Sequence, residues 1–185
     1  KYESTTMGER ITQLYLDPLS ASLIRTGLRR AVRRIVKEIG PVTNFGLLHL
    51  ATSTPDFTSL WAKNSEMDTN SNLWIKTNAV EDELLCDSSY DEMLLSNVKS
   101  AWMIEMWTDE DNIRSIEKEL DVNPGDIHYR VDLMEWLIYA SKEIILADDV
   151  FSEEHMNHIA EIVKLLDILR LRVRPVSYTH LTLPT

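Results

Sequence analysis

The sequence predicts an all-α protein, a multi-helix bundle that follows a short extended connector. Apolar residues recur at three- and four-residue spacing through several segments, and helix-stop signals separate these segments. The 185 residues include only five Gly and six Pro, too few for a turn-rich β-sandwich or long disordered linkers. This length suffices for one good hydrophobic core. No internal repeat is found, which argues against a solenoid.

The first predicted elements are the connector and a basic helix. Residues 10–16 are β-branched and aromatic, which favours a strand or an extended connector. Asp17 can cap a helix that begins at Pro18, because proline in the first position loses only an N–H that has no helical partner. Apolar residues keep helical spacing over 23–39, and the Gly-Pro pair at 40–41 is predicted to end the helix.

The later segments predict six further helices. In order, they cover residues 45–50, about 73–80, 91–107, 108–120, 127–147 and 152–174. Thr108 and Asp111 resemble a capping box at the start of the fourth, and Asp126 is the expected N-cap of the fifth. The helix over 127–147 carries apolar residues nearly all round, which is typical of a helix at the centre of a bundle.

Composition and charge limit the classes of function. A formal net charge of −11 argues against a surface that coats nucleic acid indiscriminately, although six cations are crowded between residues 25 and 37. The single cysteine, Cys86, excludes an internal disulfide and a cysteine-built zinc site. No apolar run reaches the roughly 20 residues that cross a bilayer. We therefore expect a cytoplasmic protein that does not contact a membrane.

The sequence offers no catalytic machinery. None of the five glycines precedes a lysine, so the chain has no phosphate-binding loop, and we expect no cofactor in it. His155, His158 and Glu161 follow one another at three-residue spacing on the last predicted helix. No second cluster completes a coordination sphere, so a solvated helix face is favoured over a metal site. His49 lies in an apolar run and is expected to be a hydrogen-bonded core residue.

Two features are compatible with nucleic-acid binding. Four arginines on one face of the basic helix are candidates for phosphate contacts: Arg29, Arg30, Arg33 and Arg34. A solvated face, or an acidic partner within the chain, explains this cluster equally well. Tyr129 and Trp136 are seven residues apart on the central helix, next to Arg130, and so share one face. Stacking on such a platform contributes ~1–3 kcal/mol per base, although a tryptophan in this setting is commonly a core residue.

The last eleven residues form a separate case. The sequence PVSYTHLTLPT at 175–185 resembles the conceptual translation of a transposase-end adapter used in sequencing libraries. An ordinary polar tail is the alternative reading. We expect this segment to be non-native and assign it no part in fold or function.

Several short motifs together resemble one family. They are GERI at 8–11 with LYLDPL at 14–19, GLLHL at 46–50 with STPD at 53–56, and NPGDI at 123–127 with EWL at 135–137. In this order and approximate spacing they resemble the archaeal Ski-two-like superfamily 2 DNA helicases, the family called Hel-three-oh-eight. The resemblance spans residue 8 to about 174. It implies the end of a winged-helix domain over 1–17 and a helical ratchet domain over 18–174.

The resemblance also implies a function. In that family two RecA-like domains hydrolyse ATP with Mg²⁺, and the long helix of the ratchet domain lies along single-stranded DNA. Trp136 matches the family's stacking tryptophan. The family's arginine one heptad earlier falls on Tyr129 here, so we expect Tyr129 to stack and Arg130 to supply charge.

The chain is thus expected to grip DNA within a monomeric, nucleoid-associated helicase. That helicase moves 3′ to 5′ on forked repair and recombination intermediates, and its motor and winged-helix domains are partners of this chain. The bundle of a related RNA helicase and a stand-alone protein-interaction module are the alternatives.

Overall fold

The computed structural model describes residues 5–87, 92–151 and 153–174. Within these ranges it contains eight α-helices, three short 3-10 segments and no β-strand. The α-helices are α1 (Thr6–Gln13), α2 (Pro18–Val36), α3 (Asn44–Thr52), α4 (Asn72–Val80), α5 (Glu92–Thr108), α6 (Ile113–Leu120), α7 (Pro124–Ala147) and α8 (Met156–Val173). The 3-10 segments are Asn64–Met67, Glu81–Glu83 and Glu153–His155. The prediction of an all-α bundle is confirmed.

The central helix of the bundle is α7. It packs most extensively against α8 and also contacts α1, α2, α3 and α5. Its buried residues are Ile127, Arg130, Val131, Met134, Leu137, Ile138, Ala140, Ser141, Ile144 and Ile145. The nearly continuous apolar circumference of this helix therefore predicts its central place correctly.

The helix α3 forms the inner layer on which α5 and α7 pack. All residues from Phe45 to Thr52 are buried, since the helix is covered on several sides by α2, α5 and α7. A Cβ added at Gly46 would lie 2.5 Å from the carbonyl oxygen of Glu83, so a glycine is needed where this backbone approaches α3. The helices predicted at 45–50 and 73–80 are confirmed as α3 and α4.

The extended connector predicted over residues 10–16 is wrong, because most of it lies in α1. The hydroxyl of Thr5 caps α1 by accepting a hydrogen bond from the Gly8 N–H at 3.1 Å. Met7, Ile11 and Leu14 recur at helical spacing and pack against the core. Tertiary packing against α7 thus outweighs the strand preference of the β-branched residues. The domain division at residue 17 stays a prediction.

Several helices end without glycine. Tyr15, Glu38, Glu110 and Asp121 adopt positive φ angles between 51° and 62°. At Glu38 this reversal lets the N–H of Ile39 bond the carbonyl of Arg34 at 3.1 Å, the pattern of a Schellman cap. The prediction that α2 extends to the Gly-Pro pair at 40–41 is therefore wrong, and α2 ends at Val36.

Two predicted N-caps are also wrong. Thr108 is the last residue of α5, and the side chain of Asn112 caps α6 by accepting from the Arg114 N–H at 3.0 Å. The N-cap of α7 is Asn123, with Pro124 in the first turn, so Asp126 lies inside the helix. Asn123 precedes Pro124 just as Asp17 precedes Pro18, so the rule that predicts Asp17 as an N-cap also predicts Asn123.

Some predictions fall outside the described residues. They concern residues 1–4 of the connector, Asp91 as the start of α5, Ser152 as the start of the last helix, and the adapter-like segment 175–185. The last helix itself is present as α8, and it begins at Met156 after the 3-10 segment Glu153–His155.

Motifs far apart in the sequence meet at one junction. The carboxylate of Asp56 accepts the backbone N–H of Asp17 at 2.8 Å, and the backbone N–H of Asp56 donates to the hydroxyl of Ser20 at 3.2 Å. Arg130 on α7 donates from Nε to the carbonyl of Thr58 at 2.7 Å. This junction fixes the first turns of α2 and α7 to the same loop.

Candidate nucleic-acid interface

The two aromatic candidates lie on the outer side of α7. Tyr129 is 53% exposed, and Trp136 is half-buried and packs partly against the core. Seven residues separate them, so they share a face and are offset by about 10 Å along the axis. The structure therefore keeps Tyr129 and Trp136 together, with Tyr129 the more accessible of the two.

Arg130 lies on the buried side of the helix, about 100° round the axis from Tyr129. Its guanidinium donates to the carbonyl of Thr58, and also to the backbone oxygen and Oδ1 of Asp126 at 3.1 and 3.2 Å. Only 8% of the residue is exposed. The guanidinium is thus engaged within the chain, and its place is separate from the Tyr129 and Trp136 face.

A set of ionic contacts fixes α7 to α8 beside Trp136. Oε1 of Glu135 accepts from Nε of Arg170 at 2.8 Å and from Nε of Arg174 at 3.1 Å. Burial alone would raise the pKa of Glu135, but the two arginines outweigh burial and lower it. The guanidinium of Arg170 also lies 4.5 Å from the ring centre of Tyr139. These contacts join the middle of α7 to the end of α8.

The basic helix α2 has its own acidic partner. Asp148, which follows α7, accepts hydrogen bonds from Arg25 at 2.9 Å and from Arg29 at 2.7 Å. Burial would raise the pKa of Asp148, but its hydrogen bonds and charge interactions with Arg29 and Arg25 hold that pKa at about 2. The Asp148 carboxylate therefore joins α2 to the end of α7, and Arg29 is occupied there.

The other predicted phosphate ligands divide into engaged and unengaged groups. Arg30 pairs with Asp87 at 2.7 Å, and Arg34 donates to backbone carbonyls, that of Leu84 at 2.8 Å among them. The side chain of Arg33 is exposed and forms no hydrogen bond or ion pair with the described part of the chain. Of the four arginines predicted to contact phosphates, Arg33 is thus the one whose guanidinium is unengaged in the described residues.

Comparison with known proteins identifies the family. Residues 45–174 match the family described as "Archaeal helicase, domain 4". The match covers well over half of the chain and includes α3 to α8. The chain belongs to this family. The helix that carries Tyr129 and Trp136 is therefore part of the archaeal helicase domain 4 itself.

Individual relatives agree. The chain is 36% identical over 151 residues to "ATP-dependent DNA helicase Hel308" of Methanocella arvoryzae, an alignment that covers 77% of this chain and 19% of the relative. It is 30% identical over 177 residues to the protein of that name in Pyrococcus abyssi, covering 91% of this chain and 21% of the relative. The chain thus spans about a fifth of the length of these curated relatives.

Within this domain 4 the described residues offer no metal centre. No group of three or more His, Cys, Asp or Glu side chains among them is arranged to hold a metal ion, and this applies to His155, His158 and Glu161. In the same residues we find no helix long and apolar enough to cross a membrane.

His49 is a buried residue of domain 4 with incomplete hydrogen bonding. Nδ1 lies 3.7 Å from Sγ of Cys86, while Nε2 is buried and has no hydrogen-bond partner among the described residues. Burial lowers the pKa of His49 to about 4 and raises that of Cys86. Both groups are neutral at pH 7, so this pair does not form an activated nucleophile. The expected burial of His49 is confirmed.

Sequence reasoning missed two aromatic residues of domain 4. Trp61 is exposed on the segment after α3, and Trp107 contacts the His128 ring edge-on at 5.5 Å beside Tyr129. Leu60 and Ala62 on either side are buried, but all three residues are apolar, so the sequence does not mark Trp61 as the exposed one.

Proposed function

We propose that this chain is the strand-gripping ratchet domain of an ATP-dependent DNA helicase that moves 3′ to 5′ on forked repair and recombination intermediates. The name of these relatives, ATP-dependent DNA helicase, supports the class of reaction. ATP and Mg²⁺ belong, in this proposal, to RecA-like motor domains elsewhere in the longer polypeptide. A winged-helix domain links the motor to this bundle, and the helicase works as a monomer at the nucleoid in the cytoplasm.

The observation that carries the proposal is the placement of Tyr129 and Trp136 on one outer face of the central helix. Base stacking requires an accessible aromatic ring, and Tyr129 meets that condition with 53% exposure. Trp136 is partly buried against the core, which restricts the conformations of its side chain before a strand arrives. Preorganised rings lose little conformational freedom on binding.

Charged residues are assigned different parts in this proposal. Arg130 positions the first turns of α7 through Thr58, and Arg33 is the candidate for a phosphate contact. Arg29, Arg30 and Arg34 serve inside the chain, because their guanidinium groups already have acidic or carbonyl partners. The grip on the strand is then mainly stacking, which suits a domain that must release and re-engage bases during movement.

Binding of a labelled single-stranded oligodeoxynucleotide, followed by fluorescence anisotropy, tests the proposal. Trp136→Ala is expected to weaken binding by roughly tenfold, because loss of one stacked base costs ~1–3 kcal/mol. Trp136→Phe keeps an aromatic ring and should retain most of the affinity. Leu146→Ala changes an exposed apolar residue of the same helix and is the matched control, with no expected effect.

Three results would contradict the proposal. Trp136→Ala with wild-type affinity would exclude stacking by this residue. Equal loss of affinity and of helical circular dichroism in the Ala and Phe variants would assign Trp136 to the core. An oligoribonucleotide of the same sequence that binds more tightly than the DNA would favour the RNA-helicase alternative.

A further inference from the structure

Residues 57–63, here called the Trp61 segment, lie outside the helices and run beside α5. Leu60 and Ala62 are buried, whereas Trp61 between them is 63% exposed. A large indole that faces water is unusual, because it leaves much apolar area hydrated.

Side chains of α5 hold the backbone on either side of Trp61. The hydroxyl of Ser100 accepts the N–H of Leu60 at 2.7 Å, and the hydroxyl of Ser96 accepts the N–H of Ala62 at 3.0 Å. Both hydrogen bonds are buried, and the two serines lie one helical turn apart. They clamp the segment along α5.

A buried lysine adds a third contact to this clamp. Lys99 is 2% exposed, and its Nζ donates to Oε2 of Glu66 at 2.8 Å and to the carbonyl oxygen of Trp61 at 3.4 Å. Burying an ammonium group is costly unless it is paired. Three polar side chains of α5 are thus used to fix the backbone on which Trp61 is exposed to solvent.

Next to Trp61 is an apolar groove of about 450 Å³. Its lining residues include Leu19, Leu23, Pro55 and Met93, together with several serine, threonine and asparagine residues. Leu19 is 57% and Met93 is 56% exposed, so the groove is open to solvent along its rim. None of the described residues that line it carries a charge.

We propose that the Trp61 segment and this groove form a docking surface for apolar side chains from another domain of the same, longer polypeptide. The lining is uncharged, so apolar contact is the main interaction that the groove offers. An exposed tryptophan beside a largely apolar groove has the composition of a protein-interface hot spot. About four-fifths of each curated relative lies outside the region aligned to this chain, so ample polypeptide exists to cover the groove.

The identity of the partner rests on the proposed function, since it requires further domains in the parent protein. Hydroxyl-radical footprinting of the complete gene product and of this chain alone tests the docking. Oxidation of Trp61 and Met93 should fall several-fold in the complete protein, without DNA, while oxidation of the exposed Met156 on α8 should stay near its value in the chain alone. The Trp136 binding experiment does not depend on this protection, so the two proposals fail separately.

A variant sharpens the test. Met93→Glu puts a charge at the rim of the groove and, in the complete protein, should raise Trp61 oxidation toward the level of the isolated chain. Ile75→Glu changes an exposed apolar residue on α4 outside the groove and should leave Trp61 protected. Equal oxidation of Trp61 and Met93 in the isolated chain and in the complete protein overturns the proposal. Protection that needs added DNA, or that grows with concentration of the isolated chain, also overturns it, in favour of a strand or a second copy.

Discussion

The helices α2 and α7 carry the two sets of residues that the sequence marks for nucleic acid, and their surroundings differ. On α2, acids and carbonyls of the same chain engage Arg29, Arg30 and Arg34. On α7, Tyr129 remains open to solvent beside the partly buried Trp136. In a chain of net charge −11, acids are plentiful enough to bind a local cation cluster. A cluster of arginines in such a sequence is therefore weak evidence for a phosphate site.

The largest expected effect comes from removing Asp148, the carboxylate that pairs with two arginines of α2. Asp148→Ala leaves Arg25 and Arg29 without their shared partner and should lower the free energy of unfolding by about 3 kcal/mol. Urea denaturation measures this loss. Asp149→Ala is the matched control, because that side chain is 91% exposed and its removal should change stability by less than about 0.5 kcal/mol. Similar losses in both variants would mean that α2 is not held by Asp148.

The second prediction concerns α3, on which both helices pack. Burial keeps His49 neutral in the folded state with a pKa of about 4, below its ordinary value of 6.5. The unfolded chain binds the proton first, so stability is full above pH 6.5 and falls as pH drops toward 4. The expected loss from pH 7 to pH 5 is about 2 kcal/mol.

Acid denaturation distinguishes the contribution of His49 to stability from that of Asp148. The low pKa of Asp148 makes its own contribution disappear only as pH falls from 3.8 toward about 2. A variant His49→Gln should therefore lose the stability change between pH 7 and pH 5 and keep the change at lower pH. If His49→Gln retains the full dependence above pH 5, the burial of His49 does not cause it.

One glycine in each helix allows the packing of α2 to be compared with that of α7. A Cβ at Gly27 of α2 would overlap the side chain of Leu50, whereas one at Gly125 of α7 meets nothing within 4 Å. Gly27→Ala should cost about 1 kcal/mol, the overpacking penalty less the gain in helix propensity. Gly125→Ala should stabilise by up to about 1 kcal/mol. Thermal unfolding of both variants measures whether the two changes in stability have opposite signs.

Much of the fold is predictable from the sequence, because helical spacing of apolar residues is a strong signal over 15 or more residues. The central position of α7 follows from its apolar circumference alone. Helix ends are less predictable. Tyr15 and Glu38 take the left-handed conformation that usually favours glycine, and nothing in the local sequence marks them for it.

The site was only partly predictable for a different reason. The spacing of Tyr129 and Trp136 places them on one face, which any α-helix guarantees. The burial of Arg130 depends on Thr58, and the engagement of Arg29 depends on Asp148, more than 70 residues away in each case. Contacts of such long sequence separation leave no periodic trace, so sequence reasoning could not distinguish an engaged arginine from a free one.

The smallest expected effect is on salt dependence. If α2 contributes at most one phosphate contact through Arg33, the slope of log K against log salt for single-stranded DNA should be about −0.7. Four contacts by the α2 arginines would instead give about −2.8. Anisotropy titrations between low and moderate salt distinguish these values, and Arg33→Gln should flatten the slope further. A slope near about −2.8 would mean that the α2 arginines do contact phosphates.

Photo-crosslinking tests most directly the claim that the outer face of α7 holds the strand. A single-stranded oligodeoxynucleotide with 5-bromodeoxyuridine in place of thymidine is irradiated in the presence of the protein, and crosslinked peptides are identified by mass spectrometry. We predict crosslinks at Tyr129 and Trp136, with loss of the second in Trp136→Ala. Efficient crosslinking confined to Trp61 or to other residues outside α7 would contradict this account.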